Sequence, residues 1–264
     1  MTTAKDLARK SDDLKRVIDK YLPGPTRNAG VYPDADHVAA ELMWGGIWNE
    51  PGLDHRLRSF ATIAAQAVNG FDFGLRHQCR VGLTLGIPPQ TLKALMLELR
   101  FWIGVPNTVF AFRILQEVID ERNEWQALDV AVDAPWLATV EEKGKRGREL
   151  VRKAWGEKAE QEIAGTVTHE FLPGAAAIVD GYHYGEVWAR SPLSDKERMV
   201  SILSALMSRG HMNQLRRQIG YALNVGLSKR EICETFSQAG WYRGWPYVED
   251  ALTEAKQVFA ERGI

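Results

Sequence analysis

The stretch Tyr182-His183-Tyr184-Gly185-Glu186-Val187-Trp188 gathers imidazole, carboxylate, phenol and indole groups more densely than any other part of the chain. His183 and Glu186 stand three residues apart, a spacing that on an α-helix puts both on one face. A carboxylate placed there orients the imidazole and favours its protonated form. Because imidazole exchanges protons near neutral pH, His183 and Glu186 are the candidate catalytic pair. Tyr184 and Trp188 are candidate substrate-binding walls, the Trp188 indole having a second reading as core. His169-Glu170, just upstream, adds to the same pocket in this reading.

A second set of polar residues occurs twice. Leu75-Arg76-His77-Gln78 is matched by Leu215-Arg216-Arg217-Gln218, 140 positions later and without a gap. An amide exchanges no proton near neutral pH, but it holds an oxyanion or carboxylate by hydrogen bonding, and a guanidinium grips a carboxylate with its planar fork. Arg76, Gln78, Arg216 and Gln218 are therefore candidate substrate-binding residues. Each has a structural alternative: an ion pair with an acid on a neighbouring helix for the arginines, a helix-packing hydrogen bond for the amides. On a helix, Leu75, Cys79, Gly82 and Leu83 define one face with Arg76 and Gln78 on its flanks. His77 points nearly the opposite way, so it and its counterpart Arg217 are expected to face solvent or a neighbouring subunit.

The elements that must hold these groups repeat as well. Trp44-Gly45-Gly46-Ile47-Trp48 stands 140 residues before Tyr184-Gly185-Glu186-Val187-Trp188. Helices are expected to start at Asp54 and Ser194, the latter opening a Ser-x-x-Glu capping box, and to stop at Gly70 and Gly210. The next pair closes at Gly86 and Gly226, and the pair after that ends in Gly104-Val105-Pro106 and Gly244-Trp245-Pro246. Final helices run from about 107 to 124 and from about 247 to 261. An amphipathic helix over 4–21, carrying Leu7, Leu14, Val17 and Ile18, precedes the first copy, and 147–153 echoes its start. The charged run Glu141 to Arg146 reads as a solvated connection and helix start. With no alternating Val/Ile/Thr-rich runs, the pattern predicts an all-α fold of two tandem helical repeats, 1–130 and 131–264, packed as a pseudo-dimer.

Composition removes several classes of function. Thirty-three basic and 34 acidic side chains leave a formal charge of −1, giving no overall field for nucleic acid or an anionic membrane. No stretch reads as a signal peptide or a membrane span, and a cytoplasmic location is expected. Cys79 and Cys233 form no Cys-x-x-Cys pair. The histidine spacings suit no metal site, and no glycine-rich phosphate loop occurs, so neither metal nor cofactor is expected.

Several motifs together resemble one family, the carboxymuconolactone decarboxylase and alkylhydroperoxidase-like helical proteins. The second half carries the likeness through Tyr184-Gly185-Glu186-Val187-Trp188, Ala222-Leu223-x-x-Gly226-Leu227-Ser228-x-x-Glu231-Ile232 and Tyr242-x-Gly244-x-Pro246. The first half carries it through Trp44-Gly45-x-Ile47-Trp48-x-x-Pro51-Gly52-Leu53-Asp54-x-x-x-Arg58, Gly82-Leu83-x-x-Gly86 and Gly104-x-Pro106. The resemblance implies compact helical units that assemble as dimers, trimers or hexamers with pockets between packed helices. A tandem chain then imitates a dimer, and three such chains imitate the hexamer, so a homo-oligomer is expected. The redox branch places its two cysteines where this chain has Phe71 and Gly74, or His211 and Gln214, which argues against a thiol peroxidase. The decarboxylase branch has a histidine where this chain has Gln78 and Gln218.

The expected activity is that of a cofactor-independent enzyme acting on a small carboxylate or lactone. Decarboxylation, lactone opening and ring rearrangement all fit. The counterparts of His183 and Glu186 in the first half are Met43 and Gly46, so proton transfer is expected at only one of two equivalent places. The alternative is a non-catalytic ligand-binding or assembly protein on the same fold.

Overall fold

In the computed structural model, which describes residues 32–129 and 135–264 together with 3, 5, 6, 8–10, 12 and 13, helices begin and end where capping chemistry dictates. The expected opening helix falls largely outside the described residues, and so does the 130/131 boundary between the repeats. Among the described residues every regular element is helical.

The first repeat runs through α1 (Pro33–Val38), a π-helical segment (Ala39–Gly46), a short 3₁₀ turn (Ile47–Asn49), α2 (His55–Asn69), α3 (Asp72–Thr84), α4 (Pro89–Ile103), α5 (Val105–Ile119) and α6 (Asn123–Ala127). Then come α7 (Val140–Trp155), α8 (Glu157–Ala164) and α9 (Val167–Phe171). The second repeat follows as α10 (Pro173–Tyr182), a π-helical segment (His183–Trp188), α11 (Asp195–Arg209), α12 (Met212–Asn224), α13 (Lys229–Arg243) and α14 (Trp245–Glu261).

Asp54 caps α2 by accepting from the Leu57 amide at 2.7 Å. Ser194 and Ser228 form complete capping boxes with Glu197 and Glu231 at the starts of α11 and α13. At the far ends of α2 and α11, Gly70 and Gly210 turn left-handed with φ of 64° and 73°, a conformation only glycine adopts without steric cost.

The core forms along the axis that relates the two repeats. α2 and α11 pack on each other there, burying Phe60, Ile63, Met199 and Leu203 completely. The Ser204 hydroxyl, buried on this contact, donates to the Ala61 carbonyl at 2.6 Å. Fully buried aromatic and aliphatic side chains of this kind stabilise by about 1.5–3 kcal/mol each. The flanking helices then cross over: α4 reaches α11 and the π segment of the second repeat, while α13 reaches α2 and the 3₁₀ turn of the first. Each repeat therefore completes a site on the other.

Two expectations need correction. The charged run Glu141 to Arg146 starts a helix as expected, from Val140 onward on a capping box between Thr139 and Glu142, but it is not wholly solvated. Glu141, Glu142 and Lys145 face water, but Lys143 is buried, donating to the Leu137 carbonyl with its ammonium 5.1 Å from the Tyr182 ring centre. Lys143, Gly147, Val151 and Trp155 recur every fourth residue and make the inward stripe of α7. The last helix of the first repeat also stops early, at Ile119, with α6 as a separate turn.

Candidate active site

The π-helical segments place the chemistry. At the 140-residue offset the two overlap without coinciding, and the wider i→i+5 turn spreads residues that an α-helix would stack. As a result His183 and Glu186 do not pair. Glu186, fully buried, accepts from the Leu137 amide at 2.7 Å and faces Arg146 at 3.0 Å and Lys143 at 4.0 Å. It fastens α7 to the π segment, helped by Gly185, where any side chain would run into the Lys143 backbone.

His183 instead finds its carboxylate across the seam, on α4. Its Nε2 lies 2.7 Å from Glu98 Oε1, with the residues 4% and 1% exposed. Trp102 Nε1 donates to the same oxygen at 3.2 Å, and Arg198 of α11 sets its Nε 3.6 Å from Glu98 Oε2. Burial alone would push the Glu98 carboxyl up. The His183 charge and hydrogen bond, followed by Arg198 and Trp102, outweigh it and hold the carboxyl below the ordinary 4.5. The imidazole is stacked between Phe101 and Tyr184, with ring centres at 4.2 and 4.3 Å. Trp188 lies under the Arg198 guanidinium, 4.6 Å from ring centre to Cζ, and packs on Trp155.

A cavity of about 230 Å³ adjoins this cluster, with Trp102, Tyr184, Asp180, Arg217, Gln218 and His169 among its walls. Gln218 is buried, and its Oε1 has no hydrogen-bond partner among the described residues. His169 Nε2 meets Asp180 Oδ2 at 2.9 Å while its Nδ1 meets the Thr166 hydroxyl at 2.9 Å. Burial raises the Asp180 carboxyl above its usual range despite the opposing charges of His169 and His183.

The remaining sequence candidates are placed differently. Arg76 is held by Glu117 at 2.5 Å and Asp72 at 3.1 Å, and Arg216 by Glu254 at 3.3 Å, Gln257 and Glu261. Both take the ion-pair alternative, because the acids stand on α3, α5 and α14 within reach of long side chains. The guanidinium that borders the cavity is that of Arg217, which is exposed to solvent as expected. Among the described residues it has no carboxylate within ion-pairing distance. Gln78 donates to the Tyr242 hydroxyl at 3.4 Å on the opposite side of the molecule. His77 rests edge-on against Trp44, 6.1 Å between ring centres. Cys79 is fully buried with its thiol pushed up to about 12, and burial raises Cys233 too, so neither offers a ready thiolate.

The opposite side holds the pseudo-symmetric twin. Met43 replaces His183, Gln238 replaces Glu98, Tyr242 replaces Trp102, and Arg58 keeps the place of Arg198. Arg58 donates to Gln238 Oε1 at 3.1 Å and pairs with Glu234, whose carboxylate also receives the Gly52 amide at 2.9 Å. Tyr242 takes a bond from Trp48 Nε1 at 2.9 Å and sits 3.5 Å from the Met43 sulfur.

Sequence reasoning missed Glu98, Trp102 and Arg198 as members of the His183 cluster, and Arg217 as a residue at the border of the adjoining cavity. A signal was available: at the repeat offset, both members of the His183–Glu98 pair become uncharged together, as Met43 and Gln238.

This architecture is that of a helical pseudo-dimer, with equivalent side-chain clusters on the seams between its repeats. The chain belongs to the carboxymuconolactone decarboxylase family, whose model matches it twice, at residues 33–117 and 173–257. It is similar to a 4-carboxymuconolactone decarboxylase of Acinetobacter baylyi, 27% identical over 124 residues that make up 47% of this chain and 92% of that protein. A nitrosuccinic acid decarboxylase of Metarhizium robertsii is 23% identical over 103 residues, 39% of this chain and 72% of that protein. An uncharacterized 15.0 kDa protein of Paracoccus denitrificans is 35% identical over 80 residues, 30% of this chain and 60% of that protein. Among the described residues, no three His, Cys, Asp or Glu side chains converge as metal ligands would, and no helix is long and apolar enough to cross a membrane.

Proposed function

We propose that this protein is a decarboxylase-type enzyme that works without a cofactor on a small cyclic or lactone-bearing carboxylate, with one working site at the His183 seam. The observation that carries the reading is the buried His183–Glu98 contact of 2.7 Å beside a cavity bordered by an unpaired arginine. Glu98 orients the imidazole and balances its charge, so that His183 can deliver a proton to the carbon left electron-rich when carbon dioxide departs. Arg217 and Gln218 hold the acid and the developing anion. Glu186, bonded to α7, is a positioning residue here: it fixes the π segment that presents His183. The decarboxylases of Acinetobacter and Metarhizium support the reaction type.

Substituting His183→Asn tests it. Carbon dioxide release from cyclic and lactone carboxylates, together with solvent deuterium in the product, should fall by about 10²-fold or more. Unchanged release would remove His183 from the chemistry. A second reading, a binding protein without turnover, draws on the stacking of His183 between Phe101 and Tyr184, which also suits a core histidine. It predicts ligand binding that His183→Asn leaves intact and no product from any of these acids.

A further inference from the structure

A second chamber lies against the first. It measures about 460 Å³, opens between α7, α8 and α10, and is walled mainly by Val140, Gly144, Val151, Ile163, Ala164 and Ala177. Ile163, His169, Asp180 and Tyr184 line both chambers, so the two adjoin along a shared boundary whose polar part is the His169–Asp180 contact. Both spaces have mostly apolar walls, and they differ in their polar groups. The smaller, with Trp102, Ala176 and Val179 in its wall, also presents Arg217, Gln214, Gln218, Thr166 and Thr168, whereas the larger is otherwise aliphatic, with Glu141 and Arg148 exposed at its rim and Glu160 paired to Arg152 at 2.8 Å. Residues 140–164, which supply most of the aliphatic wall, lie outside both segments that match the family.

We infer that the two chambers form one bipartite site for an amphipathic carboxylic acid. Its carboxylate is held by Arg217 with Gln218, and its apolar body passes Ile163 and Tyr184 into the larger chamber. An unpaired guanidinium at one end and aliphatic walls at the other match a ligand with those two parts in that order. The inference rests on the proposed function for its choice of an organic acid, and it adds the requirement for an extended apolar body.

Calorimetric titration of the full chain with benzoate and its 4-ethyl, 4-butyl and 4-hexyl derivatives tests it. Apolar burial makes each added methylene worth about fourfold in affinity, so binding should tighten along the series until the chamber is filled. Ala177 is exposed to the chamber, so Ala177→Phe fills space without disturbing the core, as circular dichroism would verify. It should weaken 4-hexylbenzoate about tenfold or more and leave benzoate within about twofold. Arg217→Gln should weaken every member about tenfold. A flat series, or a series that Ala177→Phe leaves unchanged, overturns the inference. Losses on Arg148→Gln in place of Arg217→Gln overturn the assignment of the head. Since binding is read without turnover, an inert protein that binds the series sinks the proposed reaction alone, and an active enzyme with a flat series sinks the bipartite site alone.

Discussion

On one side of the seam Arg198 faces Glu98 of α4, and on the other Arg58 faces Glu234 of α13, with Gln238 standing where Glu98 would be. Both arginines are buried, and both have a carboxylate, but the two carboxylates sit one helical turn apart. Glu234 has Ala94 as its counterpart and points toward the Gly52 amide and Arg230, away from any imidazole. Charge balance for a buried guanidinium is thus common to both sites. An ionisable pair, His183 with Glu98, is kept at only one. The difference separates what the fold needs from what the proposed chemistry needs.

The largest effect that could break this comparison is structural. Arg58→Met takes the buried cation from Glu234, leaving that 11%-exposed carboxylate only the Gly52 amide and the exposed Arg230, and should cost about 1–3 kcal/mol in urea denaturation while leaving ligand binding at the His183 side unchanged once the protein is folded. A cost under about 1 kcal/mol would show that the arginine is dispensable to the fold. Next comes the ionisable pair itself. Glu98→Gln preserves shape and removes charge, so turnover should drop by about 10²-fold, whereas Arg230→Gln, at an exposed pair on the twin side, should leave turnover unaltered.

Acid titration sharpens the same contrast. The Glu98 carboxyl is held below its ordinary 4.5 in the folded protein, so its stabilising contribution is present above that value and is lost as pH falls toward and through the folded value. The stability gap between the natural protein and Glu98→Gln should therefore narrow as pH drops below 4.5, measured by denaturation from pH 7 to pH 3.5. A constant gap would mean that Glu98 is already protonated at neutral pH. The smallest expected effect is constructive. Met43→His with Gln238→Glu rebuilds the ionisable pair on the silent side and, if the sites act independently, raises turnover per chain by at most about twofold.

Much of the fold was legible in the residues themselves. The 140-residue offset, the caps at Asp54, Ser194 and Ser228, and the stops at Gly70, Gly210, Gly104 and Gly244 are local signals, set by orphaned amides and by left-handed or extended glycine. The site was legible only in part. Of the candidates, Tyr184 and Gln218 lie on the wall of one cavity and His183 in the cluster beside it. The partner of His183 lies 85 residues away on another repeat, where no local spacing could reveal it. Helical arithmetic also failed at the π segment, because the i,i+3 rule that joined His183 to Glu186 assumes an α-helix. Arg217 is exposed, as the helical wheel implied, but a wheel shows only which residues leave the core, not that α8 to α10 set a cavity in front of them.

The crossing of α4 and α13 over the axis puts both sites between parts of one covalent chain. Two separate single-repeat chains would have to meet before His183 could reach Glu98, and their population of complete sites would fall on dilution. Here the meeting is intramolecular, at an effective concentration of about millimolar order or above, so the sites persist however scarce the protein is. The same connection frees the two sides from each other's history. A homodimer carries every substitution in both of its copies, whereas in this chain Met43 and His183 are separate codons, and one seam can change while its twin is left alone.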